Sequence, residues 1–325
     1  MVFIQFRRSK LNLLGLATLG MLLLAALFAD FLASDLPIVL RQRGETFLFP
    51  NLTEPTSLRS YSARELRDAM DTEDWAVFTP VGVGPNSIDL SSRLSPPSST
   101  HWLGTDGTGR DVLARLIHGA RISISVGVVA VSIYVLIGLL LGALAGYYGR
   151  WIDTVVSRLL EVMMVFPTFF LVLTIMGILE RTSIWLVMLV IGATGWPGVA
   201  RLVRGEILRI RALDYVAASQ ALGASDARVI LRHVLPNAIG PVLVAAAFGN
   251  GGAILTESAL SFLGFGTPPP AASWGELLTQ AYEYAISPGA WWLTVFPGLA
   301  IFVTVTAYNL VGEGLRDAMD PRLKG

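Results

Sequence analysis

Long windows without ionisable side chains are the feature that most constrains what this chain can fold into. Aspartate, glutamate, lysine and arginine are all missing from residues 11–29, 122–149, 162–179, 182–200, 233–256 and 284–312. A helix of about 20 residues crosses the roughly 30 Å of bilayer hydrocarbon, and charges at that depth are costly. Each of these windows therefore predicts one membrane-spanning helix.

The composition agrees with a membrane protein. Of the 325 residues, 53% are hydrophobic and only 15% are charged, whereas soluble domains carry roughly a quarter charged residues. The mean hydropathy is +0.61. The net charge is zero, so we expect no basic face for nucleic acid. We predict an all-α membrane protein with six transmembrane helices.

The residue types exclude several kinds of chemistry. Cysteine is absent, which removes disulfides, thiolate nucleophiles and cysteine-based metal sites. Lys10 and Lys324 are the only lysines and neither follows a glycine, so the chain has no Gly-Lys-Ser/Thr loop for ATP phosphates. His101, His118 and His233 are widely separated. We expect no catalytic residue, metal site or cofactor in this chain.

Positive charges predict the orientation. Arg7, Arg8 and Lys10 precede the first window, which is longer than the core of a cleaved signal, so residues 1–32 are predicted to be a tail and an uncleaved first helix. With the N-terminus inside, most arginines face the cytoplasm and the short outer loops hold only Arg181. This distribution and the even number of spans predict that both termini are cytoplasmic.

Residues 33–121 are predicted to form an enlarged external segment between the first two helices. Ser62 and Glu65 fit a capping box at the start of a helix. Tyr61, Trp75 and Phe78 are expected to close a small core. A structural cap is favoured over a substrate-recognition domain.

The end of that segment, residues 101–111, reads HWLGTDGTGRD. Its glycines do not follow the Gly-x-Gly-x-x-Gly order of a nucleotide loop. Instead, Asp106 or Thr108 is expected to cap a helix that runs from Asp111. Apolar residues of that helix oppose basic ones, which predicts an amphipathic helix that lies at the membrane interface. A further charge-free window, 258–275, is rich in glycine and proline and is predicted to be an ordered loop, either outside the membrane or packed against the helices.

The segment between the fourth and fifth windows, residues 201–236, is long, basic and helix-prone. Asp214 is expected to cap one helix, Gly223 to form a left-handed turn, and Ser225 to cap a second short helix that stops near Pro236. Small residues lie on one face and arginines surround them. The pattern predicts a projecting knob that fits a groove on another protein.

Three motifs in this order resemble the permeases of ABC importers. Residues 217–219, 223–225 and 232–237 read AAS, GAS and RHVLPN and resemble the EAA loop of these permeases. Residues 101–123 and 257–275 resemble the dipeptide, oligopeptide and nickel branch, in particular its second, C-type subunit. Together the motifs cover about residues 100–325. The longer external stretch resembles permeases of microcin C or oligopeptide uptake.

The resemblance implies a type I ABC importer permease in the inner membrane of a bacterium, with residues 122–325 as its core. It implies four kinds of partner: a second homologous permease subunit, two ATP-binding subunits that hold ATP and Mg²⁺, an external substrate-binding protein that delivers peptide, and the lipid membrane. Nucleic acid is not among them.

The resemblance also assigns a role to the knob, which would couple the spans to an ATPase. The residues it implies for this contact are Tyr215, Ala217, Ala218, Ser219, Gly223, Ala224, Ser225, Leu235 and Pro236. Ala217 stands where many relatives have the glutamate that names the loop, which removes one polar contact to the ATPase. The small face around Gly223 remains, so docking is still expected.

Within the windows, glycines and prolines predict how the helices pack and bend. Gly138, Gly142 and Gly146 recur every four residues, which predicts a close contact with another helix. Pro167 and Pro297 are expected to bend the third and sixth spans.

Asn250 is the strongest candidate for a polar contact in the translocation pathway, with a bond to a neighbouring helix as the alternative. Glu257, at a span end, is a second candidate, with capping or pairing as the alternative. An ion-coupled carrier would need ionisable groups near mid-membrane, and the windows hold only His233, at an edge. The sequence also lacks the motifs of a membrane enzyme. A purely structural assembly subunit is a further alternative, but it gives no reason for the knob.

Overall fold

Helices make up most of this computed structural model, which describes residues 5–7, 9–179, 183–268, 270–284 and 289–319. In chain order they are α1 (Lys10–Leu27), α2 (Ala29–Leu32), α3 (Pro50–Thr53), α4 (Ala63–Asp68), α5 (Val112–Tyr148), α6 (Arg150–Val165), α7 (Thr168–Leu179), α8 (Ile184–Ile210), α9 (Asp214–Ala221), α10 (Asp226–Val229), α11 (Leu235–Phe262), α12 (Trp274–Tyr284) and α13 (Trp292–Met319). Three short strands, β1 (Val39–Gln42), β2 (Glu45–Leu48) and β3 (Trp75–Val77), lie between α2 and α5.

Five helices of the described chain are long and apolar enough to cross a membrane. They are α1, α5, α8, α13 and the continuous helix Asp226–Phe262, which contains α10 and α11. The pair α6 and α7 makes a sixth span if it is counted as one, although the two helices are bent by 83°. The helices therefore confirm the predicted membrane fold, with an unusual third span.

Proline breaks the third span instead of bending it. α6 ends at Val165, and Phe166 is extended at φ −86°, ψ 128° because the residue before a proline avoids the helical region. Pro167 then leads into α7. α13 continues through Pro297.

The second span is longer than its charge-free window. α5 is one helix of 37 residues, so the helix predicted to lie separately at the interface runs without a break into the span. Its length of about 56 Å exceeds the hydrocarbon thickness.

The predicted caps of α5 are wrong: the Asp111 carboxylate itself accepts the N–H of Ala114 at 2.9 Å. Asp106 and Thr108 bond to each other instead.

The fifth span begins earlier than predicted, since Pro236 does not stop the helix. Residues Ile230–Val234 form a π-helical turn, which widens the helix just before the proline and relieves the clash of its ring with the preceding turn. The Asn237 side-chain amide donates to the carbonyl of His233 at 2.6 Å. The helix then continues to Phe262, so the predicted loop 258–275 is helical over its first residues.

The structure divides into two compact units: Met1–Leu19, Val126–Thr256 and Thr304–Gly325 form the first, and Gly20–Ser125 and Glu257–Val303 form the second. In the second unit the strands form an antiparallel sheet in the order β2-β1-β3. The sheet is a departure from the predicted all-α fold. The sequence signal was weak because the strands have only three or four residues.

The sheet packs on a small core that differs in part from the predicted one. Its buried residues are Leu36, Leu40, Leu58 and Leu66, with Phe78 among the partly buried side chains. The capping box of Ser62 and Glu65 is present, as predicted. Trp75 and Tyr61 are exposed. For Trp75 the reason is that side chains alternate along a strand and Ala76 takes the inward position in β3.

The four-residue glycine repeat of α5 packs against α8 in the first unit, which confirms the predicted helix contact. A methyl group added at Gly142 would lie 2.6 Å from the carbonyl oxygen of Ala200, and one added at Gly146 would lie 3.0 Å from that of Arg204. Gly138 faces α8 in the same way. The backbones approach so closely that no larger residue fits without a shift.

We predict that Gly142→Ala destabilises the protein by roughly 1–3 kcal/mol, because the added methyl group must push α5 and α8 apart. Unfolding in detergent, followed by circular dichroism across a denaturant series, measures the change. The matched control is Gly198→Ala in α8, where a methyl group meets nothing within 4 Å; its stability should stay level or rise slightly. Equal behaviour of the two variants would contradict this packing.

Candidate functional site

The predicted knob exists and consists of residues 213–229 in the first unit. Leu213 precedes α9, and Gly223 follows it with φ +80°. The N–H of Gly223 donates to the carbonyl of Gln220 at 2.9 Å, and that of Ala224 to Ser219 at 3.1 Å. This left-handed turn, which glycine adopts at low cost, reverses the chain into α10. The predicted role of Gly223 in the turn is confirmed.

The predicted side-chain caps of the knob are wrong. Asp214 is the first residue of α9, and the N-cap position before it holds Leu213 without a side-chain cap bond. Ser225 does occupy the N-cap position of α10, but its hydroxyl makes no cap bond. The turns of the knob are therefore stabilised by backbone bonds and by neighbouring helices.

The knob presents small and apolar groups on its surface. Leu222, next to the turn, has 89% of its surface exposed. Most of the residues implied for the coupling contact are also exposed, namely Tyr215, Ala217, Ala218, Gly223, Ser225 and Pro236, while Ser219, Ala224 and Leu235 are half-buried. Leu235 and Pro236 lie beyond the π turn, at the start of α11. The tip is thus an apolar surface without a covering group in the described chain.

Buried valines and the end of α5 hold the knob in place. Val216 and Val229 are fully buried. The Tyr147 hydroxyl donates to the Asp226 carboxylate at 2.8 Å and accepts from the side-chain amide of Gln220 at 3.1 Å. One phenol therefore connects α9 and α10 to the last turn of α5.

Two arginines extend this support. The Arg211 guanidinium donates to the carbonyls of Gly146 and Tyr147 at 3.0 and 2.9 Å, where a helix end lacks its own donors. The Arg204 guanidinium forms a two-bond pair with the Asp153 carboxylate at 2.5 and 2.8 Å, which connects α8 to α6. The contacts of Tyr147, Asp153 and both arginines could not be predicted from the sequence, since their partners lie some 50 to 80 positions away.

The two polar candidates for the pathway have different surroundings. Asn250, in the first unit, donates to the Ala246 carbonyl of its own helix at 2.8 Å, and its buried side-chain oxygen has no hydrogen-bond partner in the described chain. That oxygen faces Gly127, where an added methyl group would lie 3.2 Å from it. Glu257, in the second unit, is fully buried and accepts the Ser261 hydroxyl at 2.7 Å. A pathway role for either residue stays a prediction.

The segment 101–111 builds a buried polar network in the second unit and not a nucleotide loop. Asp106 accepts the backbone and hydroxyl groups of Thr108 at 2.8 Å and the Arg110 side chain at 2.7 Å. Arg115, fully buried, donates to Glu276 at 2.7 Å and to the Pro85 carbonyl at 3.1 Å. The Asp106 carboxylate and the Arg115 guanidinium are thus both paired within the chain, although the Nε atom of Arg115 lies 3.7 Å from the Asp106 carboxylate and makes no hydrogen bond in the described chain.

Asp106 is held in its charged form. Burial alone would raise the pKa of its carboxyl group, but hydrogen bonds from Thr108 and Arg110 and the positive charge of Arg110 outweigh burial and lower that pKa. A carboxylate that accepts several donors is stabilised in this way.

Among the described residues, no cluster of histidine and acidic side chains could hold a metal ion.

For the knob, we predict that Tyr147→Phe loosens residues 213–229 without unfolding the spans, because it removes one bond to a carboxylate and one to an amide, each worth about 0.5–3 kcal/mol. Hydrogen exchange of the knob amides should become faster. Tyr148→Phe is the matched control, since that ring only packs edge-on against Tyr147 at 5.2 Å. Unchanged exchange in Tyr147→Phe would count against the support described here.

For the network, we predict that Asp106→Asn lowers stability at neutral pH by roughly 1–3 kcal/mol. Because the folded pKa of Asp106 is lowered, its contribution is complete above the ordinary carboxyl value of about 3.9 and is lost as the pH falls through the lower folded value. The stability gap between wild type and variant should therefore close on acidification. Asp68→Asn, at an exposed position, serves as the control, and a gap that widens in acid would refute the assignment.

The family of this chain is shown by two matches to known protein families. Residues 138–325 match the family described as the binding-protein-dependent transport system inner membrane component. Residues 1–44 match the N-terminal TM domain of oligopeptide transport permease C. The chain belongs to this family of binding-protein-dependent permeases.

Proteins of similar sequence support the same family. The chain is 39% identical over 251 residues to the dipeptide transport system permease protein DppC of Alkalihalophilus pseudofirmus, which covers 77% of this chain and 82% of the relative. It is 42% identical over 242 residues to a putative peptide transport system permease protein of Brucella suis, covering 74% and 80%. Both relatives are described as permease proteins of peptide transport systems.

A solved structure shares the fold. A chain of the MetNI methionine ABC transporter, determined in inward-facing conformations, superimposes with a TM-score of 0.52 over 63% of this chain and 97% of its own length, at 16% identity. At that identity the likeness concerns the fold alone. It agrees with the type I importer permease fold expected from the sequence.

Proposed function

We propose that this chain is one of two related permease subunits in an ATP-driven importer of peptides. Together the two subunits would line the translocation pathway, with one ATP-binding subunit docked on each, and an external binding protein would deliver the peptide. The family's dependence on binding proteins and the peptide permeases among the relatives support this proposal. Within the inner membrane, both termini and the knob would face the cytoplasm and residues 33–121 the outside, as the positive charges predict.

The observation that carries the coupling role is the exposed tip of the knob. A leucine that is 89% exposed, beside alanines and a glycine turn, offers apolar surface with little side-chain entropy to lose. Such a surface fits a groove on a partner, where a buried apolar anchor supplies much of the binding energy. The partner would be the ATP-binding subunit, which would hold the ATP and Mg²⁺ that this chain has no loop to bind.

Force on the knob would reach the spans through the contacts around Tyr147. α9 and α10 are joined to the end of α5 by the phenol, and Arg211 joins the residues after α8 to the same end. α5 in turn packs against α8 along its glycines. A shift of the docked ATPase would therefore move α5 and α8 together, which is how closure of the ATPases would open and close the pathway.

We predict that Leu222→Asp reduces docking of the ATP-binding subunit by about tenfold or more, since a charge would have to be buried in an apolar groove. Peptide uptake and peptide-stimulated ATP hydrolysis in proteoliposomes should fall together, while membrane insertion stays normal. The control is Leu90→Asp, the same change at a residue 71% exposed in the segment predicted to be external, and it should leave both unchanged.

Two results would reject the coupling role. One is full uptake by Leu222→Asp with normal association of the ATPase in detergent pull-down. The other is labelling of the knob by a membrane-impermeant reagent added outside intact cells, which would place it on the wrong side. Uptake that persists without ATP but follows a proton or sodium gradient would favour the ion-coupled carrier instead.

A further inference from the structure

An exposed apolar patch lies in the second unit where α1 ends. It consists of Phe28, Leu48, Phe49 and Leu52, each of which has between 46% and 64% of its surface exposed. Leu48 is the last residue of β2, and Leu52 belongs to α3. We refer to these four side chains as the α1-end patch. The importer mechanism described above makes no use of it.

Three contacts fix the patch beside the end of α1. The ring of Phe31, in α2, meets that of Phe28 edge-on with centroids 6.0 Å apart, and that of Phe49 at 5.9 Å. The side-chain amide of Asn51 donates to the carbonyl of Asp30 at 2.9 Å. α3 is thus attached to α2, which follows α1 after a single residue. The patch has a defined height relative to the first span.

The backbone keeps one of these apolar side chains in place at a conformational cost. Phe49 has φ 55° and ψ 48°, the left-handed region that a bulky side chain rarely adopts. Its N–H donates to the Ile38 carbonyl at 2.9 Å, and its own carbonyl accepts the N–H and the hydroxyl of Thr53, both at 3.1 Å. Strain that the surrounding bonds maintain is a feature of functional positions.

The position of the patch points to lipid as its occupant. α1 has 18 residues and rises about 27 Å, close to the thickness of the hydrocarbon. Its last turn exposes Leu24 and Leu27, the kind of surface that a membrane span presents to lipid, and Phe28 of the α1-end patch directly follows Leu27 in the chain. With α1 across the hydrocarbon, the patch would lie at the level where hydrocarbon gives way to headgroups.

Arg121 makes polar contacts at the same end of α1. Its guanidinium donates to the Ala26 carbonyl at 3.0 Å and pairs with the Asp30 carboxylate at 3.0 Å, and its side chain is 45% exposed. A partly exposed ion pair belongs in the headgroup region and not in hydrocarbon. Apolar side chains beside such a pair match an element that lies in the interface.

We propose that the α1-end patch inserts into the headgroup–acyl boundary of the bilayer and anchors the sheet of residues 39–77 to the membrane surface. The partner is the lipid bilayer itself. The anchor would keep this segment lying on the membrane beside the first span.

The absence of cysteine allows a direct test with single-cysteine variants of the full chain. Leu48→Cys and Leu52→Cys each place a probe in the patch. Leu90→Cys is the control, because Leu90 is also an exposed leucine of the same unit but lies between the polar residues Asp89 and Ser91. Each variant is labelled with an environment-sensitive fluorophore and reconstituted, without partners, in vesicles of phosphatidylcholine and phosphatidylglycerol.

Labels at positions 48 and 52 should emit at shorter wavelength than the label at 90. They should be quenched more strongly by lipids with a nitroxide near the headgroup and less by aqueous iodide. Equal iodide quenching at all three positions would overturn the proposal. Protection at 48 and 52 that appears only after a related permease or binding protein is added would overturn it as well, in favour of a protein contact. Detergent melting curves of the labelled variants verify that each is folded.

Discussion

The close contact between α5 and α8 is the interaction on which the first unit depends. Lipid tails are as apolar as leucine, so membrane helices gain little from hydrophobic association and need close packing and polar bonds instead. The glycine repeat supplies the packing, because the α5 backbone there comes within about a methyl group of the α8 carbonyls. The pair of Arg204 with Asp153, and the bonds of Arg211 to the end of α5, add polar anchors to the same region.

In the second unit, the interaction on which the packing depends is that of the buried Arg115 guanidinium with its partners. Desolvating the Arg115 guanidinium costs several kcal/mol unless partners surround it, and Glu276, Asp106 and the Pro85 carbonyl do so. These partners come from a loop, from the segment before α5 and from α12. The motif 101–111 that resembles the peptide branch therefore has a structural use: it positions the first turn of α5 against the rest of its unit.

The spans were predictable because charge-free windows reflect a constraint that acts on each residue separately. The errors arose where one residue depends on distant or irregular structure. Pro236 reads as a helix stop, yet the π turn before it accommodates the ring. Asp111 could not be told from Asp106 as the cap, because both precede the same helix and only the folded loop decides which carboxylate reaches Ala114.

The same limit explains the missed support of the knob. The tip residues were recognised from a local pattern of small residues around Gly223, whereas Tyr147 is bonded to residues 73 and 79 positions away. The aromatic character of Trp75 predicts a place in the core, but its exposure follows from the alternation within a three-residue strand. Features that depend on neighbouring residues could be predicted from the sequence, but contacts between residues far apart in the chain could not.

Under the proposed coupling role, docking and transmission would place different demands on the knob, and different residues would meet them. Docking would depend on shape, so the small tip would tolerate Ala217 in place of an acid. Transmission would depend on stiffness, which the buried Val216 and Val229 and the two hydrogen bonds of the Tyr147 hydroxyl would provide. Under the proposed coupling role, a knob with an intact tip but a loosened base would bind the ATPase and still fail to move α5. Binding and uptake should therefore separate when the base is altered and fall together when the tip is.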